Sequence, residues 1–278
     1  MQEDNTMVRS LWSAATGMIA QQTNVDTIAN NLANVNTTGY KTQVNQFKTL
    51  LYQEIQSETT SGNGETKPTG AQVGLGVRNA AITSRFVQGN LLESSSDSDF
   101  AIEGEGFFAV RGEDGETYYT RNGSFIWAIN SGGGVTLTNS EGMKVLNSRG
   151  QVIELGSNYI TSRITLSQDG EICYPNANGN PTPIGVSIGA WQFNNPTGLT
   201  KEGDSLYAVS DASGPAINEA TNNQVKKSRF LQGRLENSNV QVVDEMVNLI
   251  VAQRAYELNS KAITASDQMM QQANQLRQ

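Results

Sequence analysis

The chain has 278 residues, a formal charge of −8 and no histidine. That charge repels nucleic-acid phosphate, and no basic run offsets it. The missing imidazole removes the commonest general base, the Ser/His/Asp and Cys/His nucleophile arrangements and most zinc sites. The single cysteine, Cys173, has no thiol with which to form an intramolecular disulfide or a metal cage. Charged residues make up 17%, and Asn, Gln, Ser, Thr and 27 Gly fill the deficit, so the expected surface is polar, weakly charged and tolerant of like-on-like packing.

No window approaches the roughly 18 apolar residues of a membrane span, so no membrane insertion is expected. The opening Met1-Gln-Glu-Asp-Asn-Thr6 carries acid and no apolar core, which does not fit a cleaved secretory signal.

From about Met7 to Tyr40 the pattern is helical. Val8, Leu11, Ala15, Met18, Gln22, Val25, Ala29 and Leu32 follow a heptad seam that is apolar except at Gln22, and Trp12, Ile19 and Ile28 widen it. Asn34, Asn36, Thr37, Thr38 and Gly39 then predict its end, because amide and β-branched side chains compete for backbone groups and glycine accepts a left-handed exit.

The middle of the chain alternates short β-type runs with turn pairs. Strands are expected at 100–110, 117–119, 135–137, 144–146, 160–166, 184–193 and 206–209. Asp114-Gly115, Asn122-Gly123, Glu141-Gly142, Arg149-Gly150, Asp169-Gly170 and Asn178-Gly179 punctuate them. This density predicts an antiparallel β domain rather than βαβ units. The nearly apolar-free segment Ser57–Gly70 reads as a loop or an arm ordered by a partner.

A second long helix is expected from Ser238, where Ser238-Asn-Val-Gln241 fits a capping box and Asp244 and Glu245 suit the positive end of the helix. One stripe carries Val242, Met246, Leu249, Tyr256, Ile263 and Met270. Another carries Val247, Val251, Leu258, Ala262, Ala265, Met269 and Leu276. The expected fold is therefore α+β: an antiparallel coiled coil of the N- and C-terminal helices plus a mainly antiparallel β middle domain. Its expected parts are a terminal-helix domain (7–40 and 238–278), a connecting β and extended-arm region (41–90 and 201–237) and a β-rich outer domain (91–200). A two-helix coil hides one stripe per helix, leaving the second C-terminal stripe and Trp12, Ile19 and Ile28 wet. Apolar surface of that extent is an interaction surface. Leu11, Ala15, Met18, Val25, Leu32, Met246, Leu249, Tyr256, Leu258 and Ile263 are the residues expected to carry packing and self-assembly.

Several motifs in order resemble the bacterial flagellar rod and hook family. They are Ala29-Asn-Asn-Leu-Ala-Asn-Val-Asn-Thr-Thr-Gly-Tyr-Lys41, with Asn31, Asn34, Thr38, Gly39, Tyr40 and Lys41 as its signature positions, then Phe100-Ala-Ile-Glu-Gly-Glu-Gly-Phe-Phe108 and Tyr119-Thr-Arg-Asn-Gly-Ser-Phe125. Near the C-terminus come Gly233-Arg-Leu-Glu-Asn-Ser-Asn-Val240, Gln253-Arg-Ala-Tyr-Glu257 and Asn259-Ser-Lys261. The resemblance runs from Met7, the family's usual start, to about Gln275. The length and the segment Leu50–Arg78 are more similar to the rod members than to the longer hook protein.

The resemblance implies a structural subunit of the basal body's periplasmic rod, exported without a cleaved signal peptide and stacked helically into a hollow, torque-transmitting tube. The implied partners are copies of itself, the proximal rod proteins, the hook protein, the basal-body ring proteins and the flagellar export apparatus. No cofactor and no metal is implied.

Other chemistry reads more weakly. Gly104-Glu-Gly106 lacks the third glycine of a nucleotide loop and predicts a bend between strands. Asp97, Asp99, Glu103 and Glu105 would suit a carboxylate pair for cell-wall hydrolysis, but Ala101 and Ile102 break a calcium-loop pattern. Cys173 reads as a strand filler, and Arg254 and Lys261 as a solvated face. An enzyme is not the expected reading.

Overall fold

The computed structural model describes residues 2–56, 71–130, 132–176, 178–222 and 224–276. The Ser57–Gly70 arm lies outside the described residues. The fold is α+β: two long helices, α1 (Gln2–Ala33) and α2 (Val242–Leu276), with antiparallel strands between them. The chain divides into two compact units. Unit 1 contains 1–33, 43–83 and 241–278; unit 2 contains 34–42 and 84–240.

In unit 1, α1 and α2 lie side by side and antiparallel. Ser10 Oγ is 3.2 Å from Ser266 Oγ, and Asn31 Nδ2 donates to Glu245 Oε2 at 3.4 Å. The Asn31 side chain also clamps the next segment, accepting from the Gln43 amide at 2.8 Å and donating to the Gln43 carbonyl at 2.9 Å. Strand Gln43–Thr49 pairs with Val77–Ser84, and Tyr52–Gln56 with Ala71–Gly74.

α1 ends at Ala33, close to its predicted stop. α2 starts at Val242 rather than Ser238. The Ser238 hydroxyl instead accepts from the Val240 amide, two residues on, at 3.3 Å. A short serine side chain takes this local turn readily, so it is lost as a helix cap.

Unit 2 is built on strand Phe107–Arg111. Phe108 and Val110 enter one buried cluster with Phe100, Phe125, Leu137, Ile153 and Phe230, while Phe107 and Ala109 enter another with Tyr119, Trp191 and Tyr207. Successive side chains of a strand point to opposite faces, so an unbroken apolar run such as this one requires cover on both sides. Its neighbours are the antiparallel strands Thr117–Thr120, Lys144–Val145 and Ala190–Gln192.

The asparagine and glycine content has a local cause. At Asn130, Asn139, Asn147 and Asn176 the side-chain oxygen accepts amides two and four residues on. The glycine three residues on donates to the asparagine carbonyl, at positive φ. An Asx turn followed by a left-handed glycine is thus the repeated hairpin device of this unit.

Three expected strands differ. The 100–110 run breaks into Phe100–Glu103 and Phe107–Arg111 around the predicted Gly104–Gly106 bend. Within 160–166 a 3-10 turn, Thr161–Arg163, precedes a two-residue strand, with Ile160 exposed and Ile164 buried. The 184–193 run splits into Pro181–Ser187 and Ala190–Gln192. At the split a Cβ on Gly189 would meet the Asn147 carbonyl at 2.9 Å. Apolar runs do not reveal such bends, because the residues on both sides stay apolar whether or not the chain turns between them.

Phe108→Ala should cost about 3–5 kcal/mol in urea unfolding of unit 2, since it opens a cavity at a fully buried site. Ile129→Ala, at a residue 82% exposed, should stay within about 0.5 kcal/mol.

Candidate functional site

Two features of the structure carry functional chemistry. The first is a buried ionic junction in unit 2. Glu236 Oε1 lies 2.5 Å from Lys41 Nζ, and Glu236 Oε2 lies 3.4 Å from Arg121 Nη1, with all three side chains at most 3% exposed. Such charges are tolerable when most of their remaining hydrogen-bonding capacity is met, and here Arg121 Nε is the one guanidinium nitrogen without a partner among the described residues. Lys41 donates to the Val87 carbonyl at 2.9 Å, Arg121 Nη2 to the Gly104 carbonyl at 2.6 Å, and the Gly89 amide to Glu236 Oε1 at 2.9 Å. The Arg121 guanidinium also sits 5.2 Å from the centre of the Phe107 ring, a cation–π distance. Burial pulls the Lys41 ammonium below the usual lysine range, Glu236 pushes it back up, and Arg121 adds to the lowering.

The backbone closes around this junction. The Gly39 amide donates to the Glu236 carbonyl at 2.8 Å. Gly39 has φ +70, and a Cβ there would stand 2.6 Å from the Arg121 carbonyl carbon and the Asn122 nitrogen. Only glycine meets both demands. Asn239 adds a side-chain clamp. Its oxygen accepts from the Thr42 amide and hydroxyl at 2.7 Å each, and its nitrogen donates to the Arg85 and Val87 carbonyls. The Thr37 hydroxyl donates to the Asn34 side-chain oxygen at 3.1 Å, holding the turn that delivers Gly39. Residues 34–42 are thus seated in unit 2 although unit 1 flanks them on both sides in sequence. Of the signature residues, Asn34, Gly39 and Lys41 act in this junction. Tyr40 lends its carbonyl to the Asn239 amide, Thr38 is half-buried, and Asn31 works in unit 1.

The second feature is the outer surface of the helix pair. Trp12 is 64% and Ile19 67% exposed, as the sequence predicted; Ile28 is buried instead. Val243, Val247, Ile250, Val251, Leu258 and Met269 are exposed on α2. Leu11, Ala15, Met18, Val25, Leu32, Leu249 and Ile263 are half-buried, while Met246 and Tyr256 are more open. Gln22 and Ala29 face solvent. The seam between the helices runs instead through Ser10, Gly17 and Asn31, one residue before Leu11, Met18 and Leu32. One residue is a step of about 100° around a helix, so the apolar stripe is turned partly outward.

The acidic residues do not assemble into a reactive pair. The Ser94 hydroxyl donates to Asp99, Glu103 stands opposite Arg229 across a strand pair, and Asp97 and Glu105 are exposed. Among the described residues no group of three or more His, Cys, Asp or Glu could hold a metal ion. Cys173 is a half-buried member of strand Glu171–Pro175.

Sequence reasoning marked Lys41 but not its partners. Arg121 and Glu236 stand inside the quoted motifs, and a charge within an apolar, turn-rich motif of a weakly charged chain was the available signal.

Lys41→Met should destabilise unit 2 by about 3–5 kcal/mol in urea unfolding, because a buried carboxylate loses its nearer cation. Adding Glu236→Gln should recover part of that loss, a coupling that a double-mutant cycle measures. Burial also pushes the Tyr207 phenol up to about 12, with Tyr40 adding to the rise. A raised phenol binds its proton more tightly in the folded state. Its contribution is complete below about pH 10 and is lost as pH rises towards 12, to a total of about 2 kcal/mol. Lys41, shifted downward, acts with the opposite sign below its ordinary value. The check therefore compares wild type with Tyr207→Phe, which should lose less stability between pH 10 and 12.

Three family models match the chain. Residues 11–41 match "Flagella basal body rod protein", residues 101–174 "Flagellar hook protein FlgE/F/G D1 domain" and residues 231–276 "Flagellar basal body rod FlgEFG protein C-terminal". Lys41, Arg121 and Glu236 fall one in each matched stretch. The chain is 43% identical to the flagellar basal-body rod protein FlgG of Borreliella burgdorferi, over 98% of this chain and 99% of the relative. It is 36% identical to FlgG of Bacillus subtilis, over 96% and 98%. To the flagellar hook-basal body complex protein FlhP of Bacillus subtilis it is 30% identical, over 98% and 100%. The chain spans these relatives almost end to end, and it belongs to the flagellar basal-body rod protein family.

Proposed function

We propose that this protein is a structural subunit of the distal flagellar rod, assembling helically with copies of itself into a hollow shaft that carries torque from motor to hook. The full-length similarity to proteins named FlgG supports the assignment. The observation that carries the assembly mechanism is the apolar outer surface of the helix pair. At about 25 cal/mol per Å², covering a few hundred Å² of it with neighbouring subunits contributes several kcal/mol per contact. Such a patch on a lone molecule is a docking surface.

In this reading α1 and α2 form an antiparallel coiled coil that lines the tube, and the β region faces outward. Leu11, Ala15, Met18, Val25, Leu32, Met246, Leu249, Tyr256, Leu258 and Ile263 pack within and between subunits. The ionic junction fixes residues 34–42 in the β unit, so that load reaching the chain from α1 meets a rigid anchor. The neighbours are the proximal rod proteins below, the hook protein above and the ring proteins around, and the subunit arrives through the flagellar export apparatus without cleavage of a signal peptide. No helix among the described residues is long and apolar enough to cross a membrane.

A place elsewhere in the same axial structure is the second reading, raised by the end-to-end match to FlhP. Within Bacillus subtilis the higher identity to FlgG favours the rod. No catalytic role is assigned.

Val247→Glu with Val251→Glu charges the exposed face of α2. Light scattering should show wild type associating as its concentration rises and the variant remaining monomeric, with the urea unfolding of the β unit unchanged. A wild-type chain that stays monomeric, or a variant that associates equally well, contradicts the proposal.

A further inference from the structure

Small and polar side chains meet at three points along the seam between α1 and α2, while Trp12 and Ile19 on α1 and Val247, Val251 and Leu258 on α2 are exposed. Ser10 meets Ser266 at 3.2 Å between hydroxyl oxygens. A Cβ on Gly17 would stand 2.9 Å from Asn259 Nδ2, so Asn259 lies directly over that glycine. Asn31 donates to Glu245 at 3.4 Å. From Ser10 to Gly17 is seven residues up α1, and from Ser266 to Asn259 is seven residues down α2. From Gly17 to Asn31 is fourteen, matched by fourteen from Asn259 to Glu245. Ala252, midway between Asn259 and Glu245, is 1% exposed and keeps the same period. Glu245 and Ser266 are buried as well.

A seam of this kind contributes little apolar burial, but it is selective about alignment. Leucine-type layers of two helices can slide by a heptad and meet equivalent layers again. Polar layers restrict this: the one-heptad slip that brings Ser10 to Ala273 sets the Asn31 amide against Ala252 and takes Glu245 away from Asn31. We propose that the Ser10–Ser266, Gly17–Asn259 and Asn31–Glu245 layers are a register key. They fix which residues of α2 lie beside which residues of α1, and so fix how the exposed apolar patch of α2, Val247, Val251 and Leu258, is presented relative to α1 to a second copy. The inference rests on the self-assembly reading for the use of that patch, but the key itself is a property of the single chain.

The test is disulfide mapping in the full chain with Cys173→Ser. Ser10→Cys with Ser266→Cys reports the native register, and Ser10→Cys with Ala273→Cys reports a slip of one heptad. Bonds within one chain are read at monomer mass, so the measurement does not depend on association, which light scattering follows separately on the same samples. In the otherwise native seam the 10/266 bond should form at least about tenfold more than the 10/273 bond. With Glu245→Leu and Asn259→Leu added, the slipped bond should rise to within about twofold of the native one. If the leucine variant loses helix by circular dichroism, Asn259→Ala carries the test and should raise the slipped fraction in the same direction. An unchanged preference for 10/266 in the helical variant overturns the key. Wild-type chains that fail to associate while the preference still collapses overturn the assembly reading and leave the key standing.

Discussion

The Glu236 carboxylate stands between two cations in a place that water does not reach. One of its oxygens is taken by Lys41 and the Gly89 amide, the other by Arg121. The three charged residues come from the start, middle and end of the sequence, and none would be buried alone. Desolvating an isolated carboxylate or ammonium costs several kcal/mol, and mutual attraction offsets that only if every partner is seated at once. The junction is therefore cooperative by construction: residues 34–42 lie down in the β unit only when the segment around Glu236 and the Arg121 turn are already there.

That requirement explains local choices that otherwise look unrelated. Gly39 must turn left-handed beside the Arg121 backbone. Asn239 replaces a backbone partner for Thr42 and holds two further carbonyls. Gly104 places its carbonyl where Arg121 can use it. In a chain whose charged fraction is only 17%, three of the six buried charged side chains among the described residues meet where three distant segments come together. The helix pair follows the opposite logic. Polar side chains meet along its seam, and many of its large apolar side chains are exposed. The β unit is closed by its own ions, and the helices are left open. That division suits a subunit which must be rigid within itself and adhesive at one surface.

The hairpin domain was legible in the sequence because Asn and Gly punctuate it with a mechanism that is local to four or five residues. The helices were legible because apolar periodicity persists over many turns. The strand break at Gly189, the turn at Thr161–Arg163 and the late start of α2 at Val242 were not legible. In each case what decides is a neighbour far away in sequence, or a short serine bonding its own backbone. The predicted apolar seam was displaced by one residue for a related reason. A heptad pattern shows that a helix has a sticky face, but not whether that face meets its own partner or another molecule.

The sequence by itself determined the mixed α+β class, the terminal position of both long helices, the excess of apolar surface on them and the family to which the motifs belong. These follow from periodicity, turn chemistry and word order, which are properties of neighbouring residues. Only the tertiary structure decided that Lys41, Arg121 and Glu236 form one junction, that Ile28 is covered while Trp12 and Ile19 are not, and that Ser10, Gly17 and Asn31 meet the other helix. Such facts depend on which distant side chains share a low-dielectric pocket or a helix face, and spacing along the chain carries no record of that.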